Sequence, residues 1–223
     1  MAPALADIRR RGNNPKEKNV SPFQLKQMLS QLYGLEPGDR RSSTSFGIGA
    51  VAGTGSTVKE YGSGAIHQTV ITLSALPISV SRTHTGGGTK IYDFPEGRIL
   101  SLGGTGTVTF TTTSAILTTL NGAKTITMGV GTVQTTTQDS GTSGLLTTEQ
   151  GILQVANATS SSVINTPGTA GTFIGALAAF DGTTTPVDAY LNVNVPTASD
   201  IDGDATLTAS GTITISWMNL GDY

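Results

Sequence analysis

Residues 206–217 read Thr-Leu-Thr-Ala-Ser-Gly-Thr-Ile-Thr-Ile-Ser-Trp. Leu207, Ala209, Ile213, Ile215 and Trp217 fall on one parity, and Thr206, Thr208, Ser210, Thr212, Thr214 and Ser216 on the other. Side chains of a strand alternate between its two faces, so this period of two predicts a strand with one buried face and one face of hydroxyls in water. Just upstream, Val187, Ala189, Leu191, Val193 and Val195 alternate in the same way with Asp188, Tyr190, Asn192 and Asn194. The stretch between the two, Pro196 to Asp204, is rich in turn formers, so the pair is expected to form an antiparallel hairpin at the centre of the core. Working back toward the N-terminus, further short strands are predicted at 65–73, 78–82, 90–94, 98–102, 107–112, 124–133, 152–155 and 172–178. Threonine suits them all, because β-branching favours a strand while the hydroxyl keeps the outer face wet. Many short strands with no helical period between them predict an all-β, antiparallel β-sandwich or jelly-roll-like body over residues 46–223. Within it, the Gly/Thr-rich segment 103–145 reads as edge strands and exposed loops, a candidate for a protruding excursion.

Composition excludes several functions. The 223 residues contain 29 Gly, no Cys and two His, with 13 Lys or Arg against 15 Asp or Glu. Without cysteine there is no disulfide framework, thiolate nucleophile or zinc–thiolate site. His67 and His84 alone cannot build a multi-histidine metal centre. The longest apolar run, Phe173 to Phe180, is far short of the ~20 residues that span a bilayer. The opening residues lack the apolar core of a secretory signal, so the chain is expected to be made in a cytoplasm and not to be a membrane protein.

Charge is unevenly placed. Arg9, Arg10, Arg11, Lys16, Lys18, Lys26, Arg40 and Arg41 all precede residue 42, whereas no Lys or Arg follows Lys124. Residues 1–45 therefore read as a basic arm that docks on an acidic partner, a protein surface before nucleic acid, since Phe23 and Tyr33 are the arm's few stacking aromatics. The arm also carries the clearest helix signal. Ser21 caps, Pro22 suits the first helical position, Gln24 completes a capping box, and Gly34 suits the C-terminal cap. Leu25, Met28, Leu29 and Leu32 then lie on one stripe of a helix over 22–33. A helix this short must bury its stripe to be stable, so these apolar residues and the basic ones are the candidate partner-binding residues.

Motifs that suggest chemistry read more simply as structure. Gly47-Ile48-Gly49-Ala50-Val51-Ala52 is followed by residues that cannot propagate the helix a dinucleotide site requires. Gly86-Gly87-Gly88-Thr89-Lys90 lacks the spacing of a phosphate loop and reads as a flexible hairpin tip. Asp200, Asp202 and Asp204 form a weak calcium candidate, but glycine and glutamate are misplaced for a helix–loop–helix calcium loop, and a tight acidic turn is the simpler reading. Asn157-Ala158-Thr159 is a glycosylation sequon, idle without secretion. Asp93 and Glu96 are the nearest pair of carboxylates of the glycosidase kind, and a turn explains them equally. His67 reads as a packed residue inside a strand. No Gly-x-Ser-x-Gly elbow occurs. Neither a catalytic residue nor a cofactor is expected, and the chain reads as a non-enzyme.

The stretch from Ile66-His67-Gln68-Thr69-Val70 to Leu76-Pro77-Ile78, with Tyr92-Asp93-Phe94-Pro95-Glu96-Gly97 and the closing Trp217 to Tyr223, resembles segments of tailed-bacteriophage head proteins. The likeness covers about residues 60–102 and the C-terminal end. Among such virion structural proteins, capsid decoration (cement) proteins are the best match, and they are commonly β-rich trimers on the shell. The resemblance implies a location on the capsid surface, the major capsid protein as partner, a homotrimer, and a role in clamping neighbouring subunits. The helix at 22–33 has no counterpart in that class. A tail or fibre component, with a host-binding or structural role, is the alternative; a secreted adhesin domain is a more distant one.

Overall fold

The computed structural model describes residues 55–63, 66–112, 123–136, 144–163, 165–175, 177–197, 200–201 and 205–221. The expected helix at 22–33 and the basic residues of the arm lie outside these. Two antiparallel sheets carry the fold. The larger runs β1 (Ser56–Ser63), β2 (Ile66–Val80), β10 (Ala205–Asn219), β4 (Gly97–Thr112) and β7 (Gly171–Ile174), with β8 (Ala178–Gly182) pairing on β4 alongside β7. The smaller runs β3 (Gly86–Asp93), β9 (Asp188–Asn194), β5 (Thr125–Gly131) and β6 (Leu153–Thr159). The chain passes back and forth between the sheets, so β2-β10-β4-β7 faces β3-β9-β5-β6. That is the strand order of a jelly roll. The expected all-β sandwich is therefore present.

The core is what the two inner faces share. Ile71, Leu76, Ile213, Ile215 and Trp217 from the larger sheet and Ile126, Met128, Leu191 and Val193 from the smaller one are fully buried in a single cluster. Phe94 stands edge-on to both Tyr92 and Trp217, with ring centroids 4.9 and 5.3 Å apart. This geometry joins complementary ring edges and faces.

Burial in β10 matches the alternation, and in β9 the apolar parity is buried as expected while Asn192 and Asn194 on the other parity are buried as well, but the pairing differs. β9 and β10 are not a hairpin: β9 pairs with β3 and β5, and β10 with β2 and β4. Both strands point their apolar parity at one core. That parity is the same whether the other strand lies beside or opposite, so it cannot tell a neighbour from a facing strand. Two further expectations change. Segments 98–102 and 107–112 are one strand, β4, continuous through Gly103–Gly106 and bonded to β10 on one side and β7 and β8 on the other. Hence the described parts of 103–145 include two interior strands, β4 and β5, rather than edges; residues 113–122 and 137–143 lie outside the described residues. Likewise Gly86–Gly88 is strand and not a hairpin tip. A Cβ at Gly87 would stand 2.1 Å from the Ser79 carbonyl oxygen, so glycine here permits close strand approach.

β1 and β8 went unpredicted. In β1 the inward parity is Ser56, Val58 and Glu60, and a charge on the core side hides the apolar period. β2 continues through Ala75, which adopts a left-handed φ of 55° while its N–H donates to Ser210 Oγ at 3.1 Å. The pairing of β10 with β2 slips there, between Ala209 and Gly211, so a bulge joins what read as two strands.

Candidate functional site

The outer faces of the two sheets differ in kind. On the larger sheet, β10 turns Thr206, Thr208, Thr212, Thr214 and Ser216 outward, and β4 turns out Thr105, Thr107, Thr109 and Thr111. Among the described residues, the charges on this face are Lys59, Arg98 and Asp181, the last two cross-strand partners. Thr183 donates to Asp181 from both its hydroxyl and its N–H, and these bonds, helped by Arg98, hold the Asp181 carboxyl below its ordinary value.

One end of the same face is apolar. Register places Ile66, Met218, Leu100 and Ala179 in one row across β2, β10, β4 and β8. Leu102, Ile174 at the end of β7 and Leu177 extend it, the last two 73 % and 75 % exposed. Exposed apolar side chains grouped in this way mark interaction surfaces, whereas scattered ones are ordinary.

The smaller sheet is covered over the middle of its outer face. Asn192 was expected on a wet face, yet it is fully buried. Its Nδ2 donates to the carbonyls of Val133 and Glu149, both at 2.8 Å, and its Oδ1 accepts from the Thr135 N–H at 2.9 Å. Asn194 is also buried and accepts from Thr85 Oγ1 at 2.9 Å. The covering segments, 132–136 and 144–151, are shaped locally by a 3-10 turn at Thr147–Glu149, where Glu149 Oε2 accepts from the Leu146 N–H. They can lie flat because β5 offers glycine beneath them. A Cβ at Gly131 would stand 2.2 Å from the Thr148 carbonyl oxygen, and one at Gly129 2.8 Å from Gln150 Cβ.

Two groups of ionisable side chains remain. At the β3–β9 edge, Lys90 pairs with both Asp93 and Asp188, and the Tyr190 hydroxyl donates to Asp188 at 2.8 Å. Partial burial and the neighbouring Asp188 carboxyl push Asp93 above its ordinary value. Burial opposes the Asp188 anion too, but bonds from Asp93, Lys90 and Tyr190 outweigh it and hold Asp188 down. Asp93 finds its partners in Lys90 and Asp188, and Glu96 contributes its main-chain carbonyl to Asn219. The second group is buried: Glu60, His67, Thr69, Tyr92 and Trp217, with His67 stacked on Trp217 at 4.3 Å between ring centroids. The packed role expected for His67 is the one found.

The remaining expected sites resolve simply or lie elsewhere. Asp200 pairs with Lys124 at 2.8 Å, while Asp202 and Asp204 lie outside the described residues. Among the described residues no group of three or more His, Cys, Asp or Glu is placed to hold a metal ion, and no helix is long and apolar enough to cross a membrane. His84 closes a turn in which its N–H donates to Ser81 Oγ and its carbonyl accepts from the Ser81 N–H. Asn157 is exposed on β6, with its side chain bonded to Thr127. Neither a family model nor a curated protein matches this chain.

Proposed function

We propose that this chain is a non-enzymatic virion structural protein of the decoration (cement) kind, which seats on a bacteriophage capsid and clamps neighbouring copies of the major capsid protein. The observation that supports this reading is the open face of the larger sheet. Five strands at ~4.8 Å spacing and up to 16 residues long give a face on the order of 1,000 Å². A stable protein interface needs about 800 Å² from each partner, so the face is large enough. With three charges among its described residues, the desolvation cost of docking is low, and its apolar end supplies the driving force. The sandwich gives such a face rigidity, which suits a clamp that resists deformation better than it suits a moving catalyst.

The basic arm adds a second attachment. Eight of the thirteen basic residues precede residue 42, and an extended basic segment gains contact with an acidic shell without a large globular interface. A homotrimer at local threefold positions matches the class the sequence resembles.

Reconstruction of the assembled particle by electron microscopy tests the reading. Density for the sandwich on the shell, in threefold clusters, is the expected outcome; density in the tail, or in isolated single copies, would refute the cement trimer. Removing residues 1–40 is expected to leave a folded sandwich that binds capsids more weakly and with less salt sensitivity. Unchanged binding by that truncation would remove the arm from the mechanism.

A further inference from the structure

Glu60 is an inward-facing carboxyl on β1, the last strand of its sheet, and it is 5 % exposed. Its two oxygens are treated differently. Oε1 accepts two hydrogen bonds, from the Tyr92 hydroxyl at 2.7 Å and from the Thr69 hydroxyl at 3.2 Å. The Thr69 oxygen is itself the acceptor for the Trp217 indole N–H at 2.8 Å, which leaves its own proton to point at Glu60. Oε2 is equally buried and meets no hydrogen-bond partner. This asymmetry fits a neutral carboxylic acid, whose carbonyl oxygen accepts and whose hydroxyl oxygen needs no donor. An anion in the same place would leave charge on a buried oxygen with no donor to solvate it, and that is far costlier than an unpaired hydroxyl.

We propose that Oε2 of Glu60 is a proton-binding site that fastens β1 to the sandwich: with the proton bound the edge strand is held firmly, and without it the strand is loosened. The position gives this proton leverage. Glu60 bonds across to Tyr92 on β3, in the facing sheet, so it ties an edge strand to both layers.

The groups that face Glu60 are few among the described residues. His67 on β2 and Tyr92 on β3 are the titratable ones, Thr69 and Trp217 are neutral, and Lys59 and Tyr61 turn to the opposite side of β1. Burial is the largest influence and raises Glu60 above its ordinary 4.5; the hydrogen bonds from Tyr92 and Thr69 and the charge of His67 oppose it without cancelling it. When β1 opens, Glu60 meets water and returns to the ordinary value. The closed strand therefore binds the proton more tightly than the open one. Its closure is strongest below pH 4.5 and weakens as pH rises through the higher value of the closed state.

Amide hydrogen exchange on the full chain reads this directly. After correction for intrinsic exchange rates, protection of the β1 amides relative to those of β10 is expected to rise on acidification toward pH 4.5. The slope is at most about tenfold per pH unit, the limit for one proton. Glu60→Gln, which mimics the neutral acid, is expected to show high protection with no slope. Tyr92→Phe removes a donor that favours the anion and is expected to move the wild-type midpoint to higher pH. A β1 slope that survives Glu60→Gln, or a wild-type β1 with no slope, would overturn the proposal. A carbon-13 titration of the wild-type Glu60 carboxyl decides it even where a variant does not fold: a midpoint at or below 4.5 refutes it, and one above supports it.

Discussion

The two sheets present the same alternation to the core and opposite surfaces to the outside. Where the middle of β4 and β10 points outward it carries threonine and serine, and the face lies open; where β5 points outward beyond Thr127 it carries Gly129 and Gly131, and the segment 144–151 lies directly on it. One atom decides the difference. A β-carbon on the outer side of a strand holds a second backbone away, and its absence lets that backbone approach. The covered sheet then has to satisfy the polar groups its cover brings, which Asn192 does with all three of its hydrogen bonds. The open sheet leaves that task to water or to a partner.

Stability measurements on single variants sharpen this contrast. The largest effect is expected on the inner side, where the two sheets are alike. Trp217→Ala removes a fully buried ring that touches Phe94 and His67 and should cost about 3–5 kcal/mol in denaturant unfolding. A loss near zero would mean that the ring does not hold the layers together. Next comes the covered face. Asn192→Ala strands two carbonyls and one N–H beneath the cover and is expected to cost about 2–4 kcal/mol. Its signature is loss of exchange protection at Thr135, with little change in β10. Gly131→Ala follows, at about 1–3 kcal/mol, because the new methyl group displaces the 3-10 turn from its seat.

The smallest effects belong to the open face, and they separate folding from attachment. Thr214→Ala should change stability by no more than about 0.5 kcal/mol. Ile174→Asp with Leu177→Asp should likewise leave the thermal midpoint nearly unchanged, since both side chains already stand in water. The same pair is expected to abolish binding to capsids if this face is the seat. Capsid binding that survives both substitutions would move the seat elsewhere on the molecule.

Sequence reasoning reached the layers and much of the core but not the pairing. The buried residues Leu191, Val193, Ile213, Ile215 and Trp217 follow from alternation alone, as does the sandwich class. The cover over the smaller sheet had a readable signal, glycine at successive outward positions in Thr127-Met128-Gly129-Val130-Gly131, which marks close approach of another backbone. Glu60 had none. In Val58-Lys59-Glu60-Tyr61 either charged residue could face water, and only the pairing of β1 with β2 turns Lys59 out and Glu60 in. The row from Ile66 to Ala179 was equally hidden, since its four residues are drawn from separate strands whose register no local pattern records.

What the sequence determined by itself is periodic and local: where most of the strands run, which parity is apolar, where the basic residues gather, and that cysteine chemistry is absent. Each of these depends on neighbours within a few positions along the chain. The tertiary structure alone decided which strands lie side by side and which face each other, which outer face is covered, and which carboxyl is buried. Those outcomes depend on contacts between residues as distant as Thr69 and Trp217, joined by a hydrogen bond across 148 positions of sequence. Such contacts are selected by the shape and polarity of the whole core, and a strand's own alternation is the same for every partner it could take.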